Sequence, residues 1–178
     1  DDAARGCEDI DLESVEKAAR DVAAFEESAI YNGFEPACIQ GILAQAEGPP
    51  VSLPGNVAEF PGAVAEAVQR LRAVGQAGPY HLVLGDEAWK ALMPSGSGGY
   101  PPHRIVKNLI GGDILSSSAF KGGVVVAQTE GAFQLAVGQD LSIGYFAHDN
   151  KTVELFLTES FTFRVLDPSA VVRLTPGG

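Results

Sequence analysis

The run from Gly138 to Val165 constrains this chain more than any other part of it. It opens as Gly138-Gln139-Asp140-Leu141-Ser142-Ile143-Gly144-Tyr145, passes a short polar break, and closes as Thr152-Val153-Glu154-Leu155-Phe156-Leu157-Thr158-Glu159-Ser160-Phe161-Thr162-Phe163-Arg164-Val165. In the closing part Val153, Leu155, Leu157, Phe161, Phe163 and Val165 share one face. Thr152, Glu154, Thr158, Ser160, Thr162 and Arg164 share the other, and only Phe156 and Glu159 break the alternation. A period of two with β-branched and aromatic residues predicts a half-buried antiparallel strand. The run is about thirteen residues long, against roughly five or six for a usual strand. At ~3.3 Å per residue it extends on the order of 40 Å. A strand that outruns a compact core suits a flat, extended subunit.

A chain of 178 residues can hold one good core or two small ones. Its net charge of -11 argues against nucleic acid and against an anionic membrane, both of which need clustered Lys and Arg. The charge fits a cytoplasmic protein, and an acidic wall attracts cations. No apolar run approaches the ~20 residues needed to span a bilayer. Asp1-Asp2-Ala3-Ala4-Arg5 is not a signal peptide, and the absence of a starting Met suggests a fragment, a processed form or the ordered part of something longer. Cys7 and Cys38 are too few for a disulfide scaffold and are expected as buried or free thiols. Their spacing leaves a bridge between them open.

Taken in order, the chain begins with a polar stretch over residues 1–11. A helix of about twenty residues follows, capped by Asp11, with Leu12, Val15, Ala19, Val22, Phe25, Ala29 and Ile30 as its apolar stripe and Asn32-Gly33 as its stop. Residues 34–56 read as a loop, and Pro61 to Val74 as a second helix ended by Gly75. Tyr80–Leu84 is a short strand, Asp86 opens a short helix containing Trp89, and Pro102–Leu109 is another helix ended by Gly111-Gly112. Val124–Ala127 and Phe133–Val137 flank the polar turn Gln128–Gly131 and read as a hairpin. Val171–Leu174 is a last short strand. With strands collected toward the end, the fold class is α+β.

Motifs of catalysis are few. His81, His103 and His148 have no partners at metal-ligand spacing, and there is no HExxH, CxxC or GxSxG. The pair Glu26-Glu27 invites a metal or acid–base reading, but neighbours on a helix point about 100° apart and do not share one ligand easily. The glycine-rich run Pro94–Pro101 lacks the Lys-Ser/Thr ending of a phosphate loop and reads as an exposed loop. No catalytic residue and no metal site are assigned. A triad assembled from distant positions stays open, because triads are recognised by geometry.

Several motifs in one order resemble encapsulin shell proteins, which have the fold of tailed-phage major capsid proteins. They are Arg5-Gly6, the helix end Phe25-Glu26-Glu27-Ser28-Ala29-Ile30-Tyr31-Asn32-Gly33, Ile39-Gln40-Gly41-Ile42, and Gly78-Pro79-Tyr80 with Leu82-Val83-Leu84. Gly99-Tyr100-Pro101, Leu109-Ile110-Gly111-Gly112-Asp113-Ile114, Gly122-Gly123-Val124-Val125 and the closing GQDLSIGY and TESFTFRVL runs complete the set. The resemblance implies an HK97-like fold, with a peripheral domain of residues 1–55 and 128–178, carrying a long spine helix and long antiparallel strands, and an inserted axial domain of residues 56–127. It implies a non-enzymatic shell subunit that self-assembles into an icosahedral cage with pores for ions and small molecules. The pore loop at the five-fold vertex would be Ser95, Gly96, Ser97, Gly98, Gly99 and Tyr100, and the small side chains of its Gly and Ser residues would leave an opening that selects by size more than by charge. Expected partners are further copies of the chain, as a shell or as capsomers. A cargo protein such as a ferritin-like protein or a dye-decolourising peroxidase is expected as well, in the cytoplasm. Relative to the family pattern, the N-terminal arm and the extended E-loop are missing. Tyr100 matches a flavin-stacking position in some members, but its tryptophan partner would fall in the missing part, so no cofactor is expected. A small-capsomer fragment, a peptidase or bacteriocin-like enzyme and a phage capsid protein are the alternatives.

Overall fold

A computed structural model describes residues 12–93 and 101–177. Asp11, Cys7 and the run Ser95–Tyr100 lie outside the described residues. Two compact units are present, one of Asp1–Glu26 with Ala136–Phe161 and one of Glu27–Leu135 with Thr162–Gly178.

The second unit is built on a five-stranded sheet, and its central strands explain themselves. Tyr80, Leu82 and Leu84 of β2 (Tyr80–Gly85) face one side, where they meet Val125 and Ala127 of β4 (Gly123–Ala127) and Val172 and Leu174 of β7 (Val171–Pro176). The register sets Leu82 opposite Val125 and Val125 opposite Val172, so like meets like across the strands. The intervening Val83, Val124 and Val171 are also buried, which is why these strands read as continuous apolar runs. The sheet order is β1-β7-β4-β2-β3, with β1 (Val51–Leu53) parallel to β7, β3 (Gly111–Ser117) parallel to β2, and the other pairs antiparallel.

Helices cover the Leu82 side. The α3 helix (Phe60–Ala73) buries Val64, Ala67, Val68 and Leu71 at three- and four-residue steps, one residue from the predicted bounds. Val106 and Ile110 of α5 (Pro102–Ile110) and Leu92 of α4 (Asp86–Leu92) enter the same core. Gly111, at φ 70, ends α5 in a left-handed cap as its sequence position suggests. The long helix α1 (Glu13–Asn32) ends at Gly33, at φ 87, and a short helix α2 (Ile42–Gln45) follows the turn at Cys38.

Two expectations are corrected, and one strand that was not expected is added. The loop expected over 34–56 contains α2 and the three-residue strand β1, a length too short to carry a period. The stretch after Gly112 is strand β3, hidden by its polar Ser116 and Ser117 at a sheet edge. The hairpin expected between β4 and β5 (Phe133–His148) does not form, because β4 pairs with β2 and β7 while β5 pairs with β6 (Val153–Val165). Between them Gln128 N donates to Pro79 O at 3.0 Å and Gly131 takes φ 78, so the turn is tied to β2's approach and not to a two-stranded loop.

Leu82 is fully buried and Val74 is 60% exposed. Leu82→Ala should lower unfolding stability by ~2–5 kcal/mol, and Val74→Ala by no more than ~0.5 kcal/mol. Equal losses in a denaturant titration would contradict this placement of the core.

Candidate assembly surface

β5 and β6 form a two-stranded ribbon by themselves. Gly138 lies against Ser160 and Gly144 against the Phe156 ring, so moving forward along β5 moves backward along β6 and the strands are antiparallel. A Cβ at Gly144 would enter the Phe156 ring, which packs over that bare backbone. Asp149 closes the tip. Its Oδ1 accepts from the Lys151 and Thr152 amides, both at 2.7 Å, and those bonds hold its carboxyl below the usual range.

The ribbon's side chains are the unusual feature. On β5, Leu135, Val137, Leu141, Ile143 and Tyr145 occupy odd positions and share one face, yet all are exposed, Tyr145 by 58%. Phe146, Val153, Leu155 and Phe156 are exposed too. The strand of β6 was expected to be half-buried, and this holds toward its end. Leu157 and Phe161 are half-buried and Phe163 is buried. It fails from Val153 to Phe156, and the physical reason is that two strands make a single layer that the rest of the unit covers only in part. In the same unit α1 supplies some cover, with the Phe25 ring edge-on to Phe161 at 6.5 Å. Val15, Ala19 and Val22 of its predicted stripe are half-buried, and Leu12 is exposed. An open groove of about 510 Å³ runs between Val15 and Ala18 of α1 and Phe146, Val153, Leu155 and Phe156 of the ribbon.

The candidate groups of the sequence are not brought together. Glu26 faces Glu159 and Asp140, and burial followed by those two carboxylates pushes its pKa up. Glu27 instead acts on Tyr31, whose hydroxyl is raised first by burial and then by that charge. His81 Nδ1 accepts from the Asp113 amide at 3.0 Å and its Nε2 meets Gln128 Oε1 at 3.3 Å. Lys107 Nζ, 2.5 Å from Asp113 Oδ1, holds that carboxyl below the usual range. His148 bonds to the Tyr145 hydroxyl three residues back along β5. Cys38 is an exposed free thiol at φ 55. Among the described residues no group of three His, Cys, Asp or Glu is placed to hold a metal, and no helix is long and apolar enough to cross a membrane. The sequence reading passed over Gln76, a buried polar residue that joins three chain reversals. A lone Gln between a helix and a strand carries no signal by itself.

A helix-covered mixed sheet, a long helix and an elongated two-stranded ribbon together define the class of HK97-like capsid proteins. Solved structures of that architecture align over nearly the whole chain. The virus-like particle from Pyrococcus furiosus aligns over 96% of this chain and 70% of its own at a TM-score of 0.71 and 20% identity. The Mycobacterium phage Che8 structure aligns over 93% and 63% at 0.65 and 14%. Identities this low speak to the fold alone. The sequence speaks to the family: residues 1–162 match Linocin_M18, the encapsulating protein for peroxidase, and the chain belongs to that family. Type 1 encapsulin shell proteins are among its relatives. That of Rhodospirillum rubrum is 41% identical over 172 residues, covering 96% of this chain and 61% of the relative. That of Rhodococcus erythropolis is 37% identical over 174 residues, covering 98% and 66%. The chain therefore spans somewhat less than two thirds of the length of these relatives.

Glu26 has a folded pKa above its ordinary value of 4.5. Its contribution to stability is complete below the unfolded value and is lost as pH rises through the folded one. Glu26→Gln carries no charge at any pH. It should raise the unfolding free energy at about pH 7 by ~0.5 kcal/mol or less after solvent screening, and match the wild type near pH 4. A variant less stable than wild type at pH 7 would show that the carboxylate is favourably placed.

Proposed function

We propose that this chain is a structural shell subunit, which associates with further copies of itself into a cage that encloses cargo proteins. The observation that carries the reading is the ribbon's exposed apolar face. Nine large apolar side chains of β5 and β6 are exposed, seven on the face of the odd-numbered residues and Phe146 and Phe156 on the other, and exposed apolar surface of that extent marks an interaction site. Membership of the encapsulating-protein family and the shell-protein names of the relatives support copies of the chain as the occupant. The assignment of residues 1–55 and 128–178 to a peripheral domain and 56–127 to an axial domain belongs to this reading. So does the role of Ser95–Tyr100 as a pore loop that selects by size. The cage is placed in the cytoplasm, and its cargo class is an oxidative enzyme such as a peroxidase, as the family description suggests.

Energetics favour many weak contacts over one strong one. Fully burying a large apolar side chain is worth ~1.5–3 kcal/mol, so nine that are already about half covered gain on the order of 10 kcal/mol gross. Association costs ~4–15 kcal/mol in lost freedom. A single ribbon contact is therefore marginal, and closure over several contacts makes it stable. An enzymatic reading finds less support. The hydrogen bonds of His81 and His148 run to Gln128, Asp113 and Tyr145, and not to a serine or cysteine.

Light scattering with negative-stain electron microscopy tests the reading. The chain should form particles far larger than a monomer, and the double variant Ile143→Asp/Leu155→Asp should lose them at least tenfold while keeping its circular dichroism. A wild-type chain that stays monomeric at high concentration, or a double variant that assembles as well as wild type, would sink it.

A further inference from the structure

Gln76 is 8% exposed, and its polar atoms are all engaged. Nε2 donates to Asp167 Oδ2 at 2.7 Å and to Ser169 Oγ at 2.9 Å. Oε1 accepts from Thr129 Oγ1 at 2.6 Å. The backbone carbonyl accepts from the Tyr80 hydroxyl at 2.8 Å, and the backbone amide donates to Leu71 O at 3.0 Å. The second oxygen of Asp167, Oδ1, accepts from the Ser169 amide at 3.0 Å and its hydroxyl at 2.6 Å. Every one of these residues lies in the sheet unit.

The partners come from three separate chain reversals. Gln76 follows α3, Thr129 links β4 to β5, and Asp167 and Ser169 link β6 to β7. The last two reversals are where the ribbon strands leave the sheet unit and return to it. Beside them Ala132 O accepts from the amides of both Leu166 and Asp167, at 2.8 and 3.1 Å. A side chain from a third segment thus pins the foot of the ribbon. Burying an amide is costly unless every group is paired, and an apolar residue of equal size would fill the space. What the amide adds is direction, since its donors and acceptor fix where the two reversals sit.

We propose that Gln76 is the positioning residue of the ribbon's foot, holding the reversals before β5 and after β6 against each other and so the pairing from which the two strands start, on which the apolar face offered to another copy depends. The last clause rests on the shell reading. Register explains why one residue matters. β5 has 16 residues, and a slip of one residue at the foot would turn every side chain along it to the opposite face.

Two variants test this on the whole chain by hydrogen exchange and particle counting. Gln76→Met keeps the volume and removes the side-chain bonds. Exchange of the peptide carrying the Leu166 and Asp167 amides should rise at least tenfold, exchange in β2 and β4 should stay within twofold, and particle yield should fall at least tenfold. Gln76→Glu sets a second carboxylate against Asp167, the ionisable group its side chain touches; Tyr80 reaches the backbone carbonyl, and Arg72 lies over the Tyr80 ring at 5.9 Å. Two facing carboxylates do not both ionise readily. The Glu variant should therefore recover slow exchange at the foot, and particles, as pH falls from about 7 to about 5, with no such recovery in Gln76→Met. Foot exchange at the wild-type rate in Gln76→Met, or an equal rise everywhere, overturns the positioning role. Loose foot amides with undiminished particles overturn its link to assembly. A wild-type chain without particles sinks the shell reading and leaves exchange alone to decide this one.

Discussion

The rest of the structure depends on one imbalance in the ribbon. Its backbone is paired, strand to strand, while much of its apolar side-chain surface faces no protein layer. Two strands alone are marginal in water and need a third element to bury a face. Near its end β6 has that element, since Phe163 is buried and its ring stacks at 6.4 Å with Phe133, which packs against the core of the sheet unit. Toward the tip it does not. On the shell reading, the exposed Ile143, Tyr145, Leu155 and Phe156 are side chains that another copy covers.

The sheet unit is the opposite case. Both faces of β2 and β4 are buried or half-buried, and backbone approach is close enough that side chains are excluded at particular points. At Gly122, φ is 84 and a Cβ would strike the Leu174 carbonyl. At Gly41 a Cβ would strike the backbone of Tyr31 and Gly33. Such points leave room for glycine alone and set how close neighbouring segments of the unit come. Gln76 serves the same end by different means, with hydrogen bonds in place of close packing.

Long periodic segments were legible in the sequence. The alternation of Val153–Val165, the stripe Val64-Ala67-Val68-Leu71 and the glycine stops at Gly33, Gly75 and Gly111 correspond to observed elements within a residue or two. Partners were not legible. Val124–Ala127 and Phe133–Val137 have the local look of a hairpin, but strand pairing is decided by the sheet that surrounds them, and β2 and β7 flank β4 instead. Burial failed for a related reason. Period two states that one face is apolar and says nothing of whether the cover comes from the same chain. The carboxylates are a third instance: that Glu26 and Glu27 diverge follows from helix geometry, whereas the neighbours of Glu26, Asp140 and Glu159, come from strands more than a hundred residues away.

Charge and apolar surface act at different ranges, and this separates encounter from docking. With a net charge of -11, copies of the chain repel one another at distances within a Debye length, ~8–10 Å at ordinary salt. The apolar face acts only on contact. On the shell reading, two ribbons that touch in the wrong register keep the repulsion and lose most of the burial. Two that touch in the right one gain burial over the whole face. The acidic surface therefore penalises loose aggregation, while the ribbon's length makes the gain steep in alignment. Together they favour an ordered contact over a sticky one, provided that β5 and β6 keep their pairing.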